Sequence, residues 1–386
     1  MTHIAVLCHR VMAGIYIHIP FCARRCSYCA FFSTVRHADR QRYTDCVCRE
    51  LQMRGTVFPD DTESFTVYFG GGTPSQLDAE QIRQILDAVH NITGDKTIAE
   101  MTIECNPDDI RPDFAAGLRE MGFNRISMGV QTFNDGLLRL LGRRHTSERA
   151  IQAVADCREA GFENISIDLM YGLPGQTAAI QEHDLQTATG LAVTHISSYC
   201  LSYEEGSPLS LMKERGQVKP ADDDTCADMY RHMCDHMKCH GFTHYEISNF
   251  ALPGYESRHN SSYWNGTPYL GAGAGAHSFD GRSRLWNPDS LDSYMDGIEN
   301  GLDIIGSEEL SRDDMENESI MLGLRTAGGI DLEKFRRNCG EASLARLKKE
   351  AAPFVESGRL IVNDGRMMIP ECYMFVSDDI ISSLFC

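Results

Sequence analysis

Tyr16-Ile17-His18-Ile19-Pro20-Phe21-Cys22-Ala23-Arg24-Arg25-Cys26-Ser27-Tyr28-Cys29 decides how this chain is read. An apolar run ends at a proline and gives way at once to three closely spaced cysteines. A short loop with this spacing can converge three thiolates on three irons of a cubane cluster. The fourth iron is then left without a cysteine ligand and open to another molecule. A structural zinc ion would take a fourth protein ligand, for which His18, His37 and the more distant Cys8 are candidates. Three neighbouring thiols without a metal are the plainer alternative.

Downstream, short apolar stretches alternate with amphipathic ones, as βα units do. Strands are expected at Ile15–Ile19, Thr66–Phe69, Ile98–Glu104, Arg125–Gly129, Asn164–Asp168 and His195–Tyr199. Gly122-Phe-Asn-Arg-Ile-Ser and Gly161-Phe-Glu-Asn-Ile-Ser echo one another, each following an expected helix and entering a strand. Between them, Ser147–Arg158 reads as a crossover helix with Ile151, Val154 and Ala155 on its apolar face. Polar residues collect where the strands end: Cys22, the Gly70-Gly71-Gly72-Thr73-Pro74 run, Glu104, Gln131 and Asp168. That convergence is expected at the carboxyl-end face of a β/α barrel, where loops surround one ligand. A closed eight-unit barrel and an open sheet fit the same pattern.

Composition narrows the function classes. Lys and Arg number 36 against 55 Asp and Glu, a formal charge of -19, which argues against a general nucleic-acid binder. A few local arginines or helix termini can still hold an anionic small ligand. The 15 cysteines are scattered through 386 residues with no export signal ahead of them, so reduced thiols of the cytoplasm are expected rather than disulfides. No stretch is long and apolar enough to span a bilayer. Peripheral membrane association and a homodimer are both left open.

Cys-x-x-x-Cys-x-x-Cys preceded by Tyr-x-His-x-Pro-Phe resembles the radical S-adenosylmethionine (SAM) proteins of the coproporphyrinogen dehydrogenase superfamily, in particular the HemW-type haem chaperones. The resemblance covers most of residues 15–386. It implies an α/β fold, a partial (β/α)6 radical SAM barrel, with Cys22, Cys26 and Cys29 holding a [4Fe-4S] cluster. SAM would bind the open iron, and electron transfer into its sulfonium can cleave it to methionine and a deoxyadenosyl radical. The glycine run resembles the family's turn for the amino-acid part of SAM, so Gly71, Gly72 and Thr73 are carried over as contacts. By itself the run reads as a sharp strand-to-helix turn. Tyr16 and Glu104 match SAM-contact positions. Gln131, Arg143 and Asp168 match polar positions of the broader pocket, although capping or ordinary ion pairing would also explain them. Tyr28 is expected either to pack on adenine or to shield the cluster.

Two departures shift the expected ligand from porphyrinogen toward haem. Relatives that decarboxylate coproporphyrinogen usually carry a further cysteine where this chain has Phe31, so SAM binding here carries no implication of decarboxylation. Farther on, Arg258-His259-Asn260-Ser-Ser-Tyr263-Trp264 resembles the His-Asn-x-x-Tyr-Trp pattern associated with haem in the HemW group. His259 can offer a nitrogen to iron, Tyr263 and Trp264 offer apolar surface to the ring, and Asn260 can shape the loop or bond a propionate. In isolation, a histidine beside aromatics is more often structural. The Gly271–Ala276 run reads as a packed helix or turn, and His277 beyond it is a candidate second ligand.

Toward the carboxyl end, helices are expected at Asp313–Leu324, with Met315, Ser319 and Leu322 on one face, and at Asp331–Cys339 and Ser343–Glu350. Leu360–Asn363 and Arg366–Ile369 flank Asp364-Gly365, a hairpin-turn signal. Together they suggest a small winged-helix-like C-terminal domain, too acidic locally for DNA. The expected organisation is an N-terminal extension (1–14), a radical SAM barrel (15–240), a haem-motif and connecting region (241–304) and the winged-helix-like domain (305–386). The resemblance implies a [4Fe-4S], SAM and haem-binding carrier that serves apo haem proteins such as respiratory enzymes. The rival is a radical enzyme that decarboxylates or methylates tetrapyrroles.

Overall fold

The computed structural model describes residues 11–55, 58 and 61–386; Cys8 and residues 1–10 of the expected extension lie outside them. Each expected strand forms: β1 (Val11–Ile19), β2 (Thr62–Gly71), β3 (Thr97–Cys105), β4 (Arg125–Gln131), β5 (Asn164–Tyr171) and β6 (His195–Cys200). They lie in sequence order and pair in parallel. Crossovers carry α1 (Arg40–Arg54), α2 (Ala79–Thr93), α3 (Pro112–Glu120), α4 (Asp135–Leu140), α5 (Ser147–Glu159) and α6 (Ala178–Gly190). After β6 come α7 (Pro208–Glu214) and α8 (Asp223–Cys239). β1 and β6 take other neighbours instead of each other, so the barrel is partial, as expected.

The period-two pattern of the strands assigns their faces. Ile15, Ile17 and Ile19 of β1 and Phe65, Val67 and Phe69 of β2 are buried in the apolar layer under the helices. Tyr16 and His18, Thr66 and Tyr68 alternate with them and face the barrel interior. Gly122 and Gly161 end the helices before β4 and β5 with φ of 95° and 88°, which explains the echo between the two segments. The buried face of α5 is Ala150, Ala153, Val154 and Cys157; Ile151, expected on it, is exposed.

Residues 241–304, expected as the haem-motif and connecting region, add strands to both edges of the barrel sheet. β7 (Thr243–Glu246) and β8 (Asn249–Ala251) extend it antiparallel beyond β6. The chain then forms α9 (Arg258–Trp264) and reaches the opposite edge, where β9 (Tyr269–Ala272) pairs in parallel with β1. The first half of the glycine-alanine run is therefore strand. β10 (His277–Phe279) and β11 (Ser283–Trp286) follow, then α10 (Leu291–Asn300), and β12 (Gly306–Glu309) closes a twelve-stranded mixed sheet.

The C-terminal unit contains α11 (Arg312–Leu324), β13 (Ile330–Asp331), α12 (Leu332–Cys339), α13 (Glu341–Glu356), β14 (Ile361–Asn363), β15 (Arg366–Met368) and α14 (Ser377–Ser382). Helices and a three-stranded sheet in the order β13-β15-β14 give the winged-helix-like shape. Asp364 and Gly365 both take positive φ, 48° and 76°, as a two-residue hairpin turn requires. The buried face of α11 is Glu316, Ile320 and Leu324; the expected Met315 is exposed, and Ser319 and Leu322 are only partly buried. Glu316 is held inside by Arg346, an ion pair that a purely apolar reading overlooks. Among the described residues, no helix is long and apolar enough to cross a membrane.

Candidate functional site at the carboxyl ends of the barrel strands

The cysteine loop leaves β1 and is tied down at both ends. Cys22 N–H donates to the Thr34 carbonyl at 2.8 Å, and Thr34 N–H to Pro20 at 2.7 Å. Ser27 N–H and Oγ donate to Leu141 and Leu140 at 3.0 Å, fixing the loop to the end of α4. Cys22 is buried, whereas Cys26 and Cys29 are half-buried. The Cys22 sulfur is 3.4 Å from Thr73 Oγ1, and Arg143 Nη1 reaches the Cys26 sulfur at 3.4 Å. Burial raises the Cys22 and Cys29 thiols, so iron would bind by displacing their protons. His18 does not fit a zinc-ligand role: Nδ1 bonds Tyr16 and Nε2 bonds the Phe32 carbonyl, each at 3.1 Å. Burial also lowers its pKa to about 4.

Each glycine of the run that ends β2 has its own steric reason. A Cβ on Gly70 would stand 3.1 Å from Glu104 Oε1 and 3.1 Å from the Tyr16 ring. Gly71 takes a φ of +108°, and a side chain there would strike the His18 ring. At Gly72 a Cβ would lie 2.6 Å from the backbone of Pro20. The run therefore lies directly on the cysteine loop, and Gly72 N–H donates to Ile19 at 2.9 Å. This backbone cradle suits close approach of a small polar ligand.

Charged groups surround the cradle. Glu104 accepts from the Tyr68 hydroxyl at 2.8 Å and from Gly71 N–H at 3.1 Å. Burial and then the nearby Asp168 carboxylate raise its pKa to about 7. Asp168, bonded by Ser197 and Ser127, is raised by burial to about 6. Arg143 is anchored on the Gly129 carbonyl. Gln131 lies at a β-bulge with φ of 75°, its amide 3.1 Å from where a Gly129 Cβ would be. Tyr28 packs with the apolar group of Leu137, Leu141 and Leu173 near Arg143. Two carboxylates and an arginine around a glycine turn without side chains are a fitting set for a zwitterion that also carries a positive sulfonium. When bound, an iron-sulfur cluster beside such a ligand supplies one electron to it.

The sequence reading missed Arg125 and Tyr68. Arg125 is 1% exposed, its Nε and Nη1 have no partner among the described residues, and its charge lowers the carboxyls of Glu104 and Asp168. Its alternation with Ser127 and Gly129 against Ile126, Met128 and Val130 is the signal that could have found it.

The His259 motif lies elsewhere in the barrel. α9 is placed over the amino-terminal halves of β1 to β3. The buried Glu100 of β3 accepts Arg258 and His259 N–H, both at 2.9 Å, and the Ser257 hydroxyl at 3.3 Å. The His259 ring is 0% exposed, with Nδ1 2.9 Å from Thr66 Oγ1 and Nε2 2.9 Å from the Tyr263 hydroxyl. Burial lowers its pKa to about 3. Asn260, Tyr263 and Trp264 are partly exposed. A rise of about 3.3 Å per residue puts roughly 13 Å between the levels of Thr66 and Gly70. The motif therefore lies deeper in the barrel than the cysteine loop, with Tyr263 still close enough to Tyr16 and Glu104 to interact with them electrostatically. His277 is exposed on β10 against Trp286 and, among the described residues, shares no partner with His259.

Fold, cysteine loop and glycine cradle together define a radical SAM protein with the capacity to bind a [4Fe-4S] cluster and SAM. The sequence model of the Radical SAM superfamily matches residues 16–186, and that of the HemN C-terminal domain matches 310–371. The solved coproporphyrinogen III oxidase (HemN) of Escherichia coli, a radical SAM enzyme, superposes with a TM-score of 0.82. The match covers 97% of this chain and 90% of that one at 23% identity, so it is the fold that is shared. The chain is 36% identical to the heme chaperone HemW of Bacillus subtilis over 335 residues, 86% of this chain and 88% of that protein. Over 379 residues it is 32% identical to the mitochondrial radical S-adenosyl methionine domain-containing protein 1 of Danio rerio, 93% of this chain and 83% of that one. The chain belongs to the HemW family.

Proposed function

We propose that this chain is a cytoplasmic haem chaperone. It holds a [4Fe-4S] cluster on Cys22, Cys26 and Cys29 and SAM on Tyr16, Gly71, Gly72, Thr73 and Glu104, with Tyr28, Gln131, Arg143 and Asp168 completing the pocket. It delivers haem to respiratory haem proteins. The observation that carries this reading is the likeness to heme chaperone HemW across most of both chains. Phe31 supports it: the residue where decarboxylating relatives place a further cysteine is 70% exposed and brings no thiol to the cluster loop.

We assign haem contact to α9, with Tyr263 and Trp264 against the ring and Asn260 toward a propionate. His259 reaches iron only after its bonds to Thr66 and Tyr263 are released. Its sealed state favours a second reading, in which His259 is a positioning residue that supports Tyr68 and, through it, Glu104.

Cluster-loaded protein is mixed with haem, freed of excess, and read for bound absorbance and for transfer to an apo respiratory haem protein. His259→Ala should lose binding or transfer with the cluster signal intact, and Thr66→Val should speed haem uptake. If His259→Ala weakens SAM binding and leaves haem binding unchanged, the positioning role is correct and the iron-ligand role is wrong. Decarboxylation or methylation of a tetrapyrrole without haem delivery would replace the chaperone by an enzyme.

A further inference from the structure

A second group of side chains gathers where the winged-helix-like unit docks on the barrel edge. Cys234 comes from α8, His244 from β7, and Glu371 opens the short turn of helix Glu371–Val376 that follows β15. One donor atom from each, a sulfur, an imidazole nitrogen and a carboxylate oxygen, lies within 4.8 Å of the other two. His244 Nδ1 and Glu371 Oε1 are already 3.2 Å apart. Donors around a tetrahedral zinc ion stand about 3.3–3.8 Å from one another, given bond lengths of about 2.0–2.3 Å. Closing the set on an ion therefore takes side-chain movements of about an ångström, and Glu371 is exposed and able to make them.

The surroundings of these groups point the same way. The ring of His244 lies flat on Phe250, centroids 4.3 Å apart and planes at 13°, and its Nε2 faces the Ile247 carbonyl at 3.4 Å. A neutral imidazole carries a single N–H. With that proton on Nε2 and donated to Ile247, Nδ1 turns a lone pair toward a carboxylate oxygen, a contact that an intervening cation makes favourable. A backbone carbonyl on the outer nitrogen is also the partner that metal-binding histidines ordinarily have. Beside them, the Tyr230 hydroxyl is buried with no oxygen or nitrogen partner among the described residues, and its polar neighbour is the Cys234 thiol. It is placed to donate to a thiolate or to a metal-bound water. A cleft of about 450 Å³, walled by Phe242, Phe250, Met368 and Met374, opens onto the three donors and gives an ion an entry path.

We propose that Cys234, His244 and Glu371 form a binding site for a zinc-class divalent cation, with a fourth position open to water. Thiolate with imidazole and carboxylate selects such an ion over calcium or magnesium, whose sites are built of oxygen. Binding releases the Cys234 proton to solvent. The ion would join α8 and β7 to the segment after β15. The same two bodies are already linked by Ile247 N–H to Arg325 and Tyr245 carbonyl to Ala327, both at 3.0 Å. The site is thus a metal clasp on the docking of the C-terminal unit, separate from the cysteine loop.

The test uses the full chain with its cluster loaded, so that Cys22, Cys26 and Cys29 are occupied, under anaerobic conditions. Cobalt(II) titration should give a thiolate-to-cobalt charge-transfer band that saturates at one equivalent. Zinc affinity, measured against a chromophoric chelator, should fall by roughly tenfold or more in Glu371→Gln. Cys234→Ser should lose the cobalt band with the cluster spectrum unchanged. Zinc should raise the unfolding temperature of the wild type more than that of either variant. Cobalt binding without the band, or zinc affinity equal to wild type in Glu371→Gln, would overturn the site. Should Cys234→Ser fold poorly, the exposed Glu371→Gln decides the matter alone.

Discussion

The hydroxyl of Tyr68 donates to Glu104 at 2.8 Å. Its ring stacks on His259 with centroids 5.1 Å apart, so one side chain links the SAM pocket to α9.

That bond sets a pH dependence. Burial and Asp168 raise Glu104 to about 7, while Tyr68 and Gly71 N–H hold it down. The carboxylate form is the one that accepts bonds from a cationic or hydroxyl-bearing ligand, so SAM affinity should increase as pH rises through about 7 and fall below it. Tyr68→Phe removes a charge-assisted bond worth about 1.5–3 kcal/mol. At about 1.4 kcal/mol per pKa unit, the midpoint should move upward by about one unit or more. SAM affinity measured across neutral pH on cluster-loaded protein reads this, and an unmoved midpoint would remove Glu104 from the ligand contact.

Gly72→Ala should separate the β2 turn from the cysteine loop, because its Cβ would meet only backbone, 2.6 Å from Pro20 C and 2.8 Å from Ile19 O. We expect a loss of about 1–3 kcal/mol in stability together with reduced cluster content. Gly117→Ala within α3, where a Cβ meets nothing within 4 Å, should instead stabilise by up to about 1 kcal/mol. Chemical denaturation and iron analysis of both variants check the contrast.

Arg143 places positive charge 3.4 Å from the Cys26 sulfur. Positive charge favours the reduced cluster, so Arg143→Gln should lower the reduction potential. Losing an interaction of about 1.4 kcal/mol corresponds to about 60 mV for a one-electron couple. A redox titration followed by electron paramagnetic resonance measures it; a potential unchanged or raised would show that the guanidinium does not act on the cluster.

Glu100 is the clamp of α9, through Arg258 and His259 N–H at 2.9 Å. Glu100→Gln leaves fewer acceptors for these donors and should speed hydrogen exchange of the α9 amides selectively. Exchange as slow as in the wild type would show that α9 is held by packing rather than by this carboxylate.

Much of the carboxyl-end pocket was readable because its parts are local. Three cysteines, a glycine run and residues at strand ends each announce themselves within a few positions, and the βα rhythm then fixes their common face. The amino-end arrangement was not readable. Thr66 and His259 are 193 positions apart, and nothing near either residue marks the pair. The polar residues inside the barrel, Arg125 above all, resemble solvent-facing positions of ordinary strands until closure makes that face the interior. The added strands β9 to β12 are only three or four residues long, so their periodicity is too brief to distinguish them from turns. Ile151 and Met315 went to the wrong faces for a related reason: buried polar residues such as Asp156 and Glu316 occupy positions that an apolar template leaves out.

The clamping of α9 by Glu100 also bears on how the chain is made. Strands β1 to β6 are complete by residue 200, yet the groups that satisfy Glu100 and Thr66 arrive only at residues 257–259, and β1 waits for β9 at Tyr269–Ala272. During synthesis the early barrel therefore emerges with an unplugged floor and both edges unpaired, since β6 likewise waits for β8 at Asn249–Ala251. Such long-range closure is slow relative to local helix formation. A cluster placed on the cysteine loop before residue 272 has emerged would therefore rest on a scaffold that still lacks these partners.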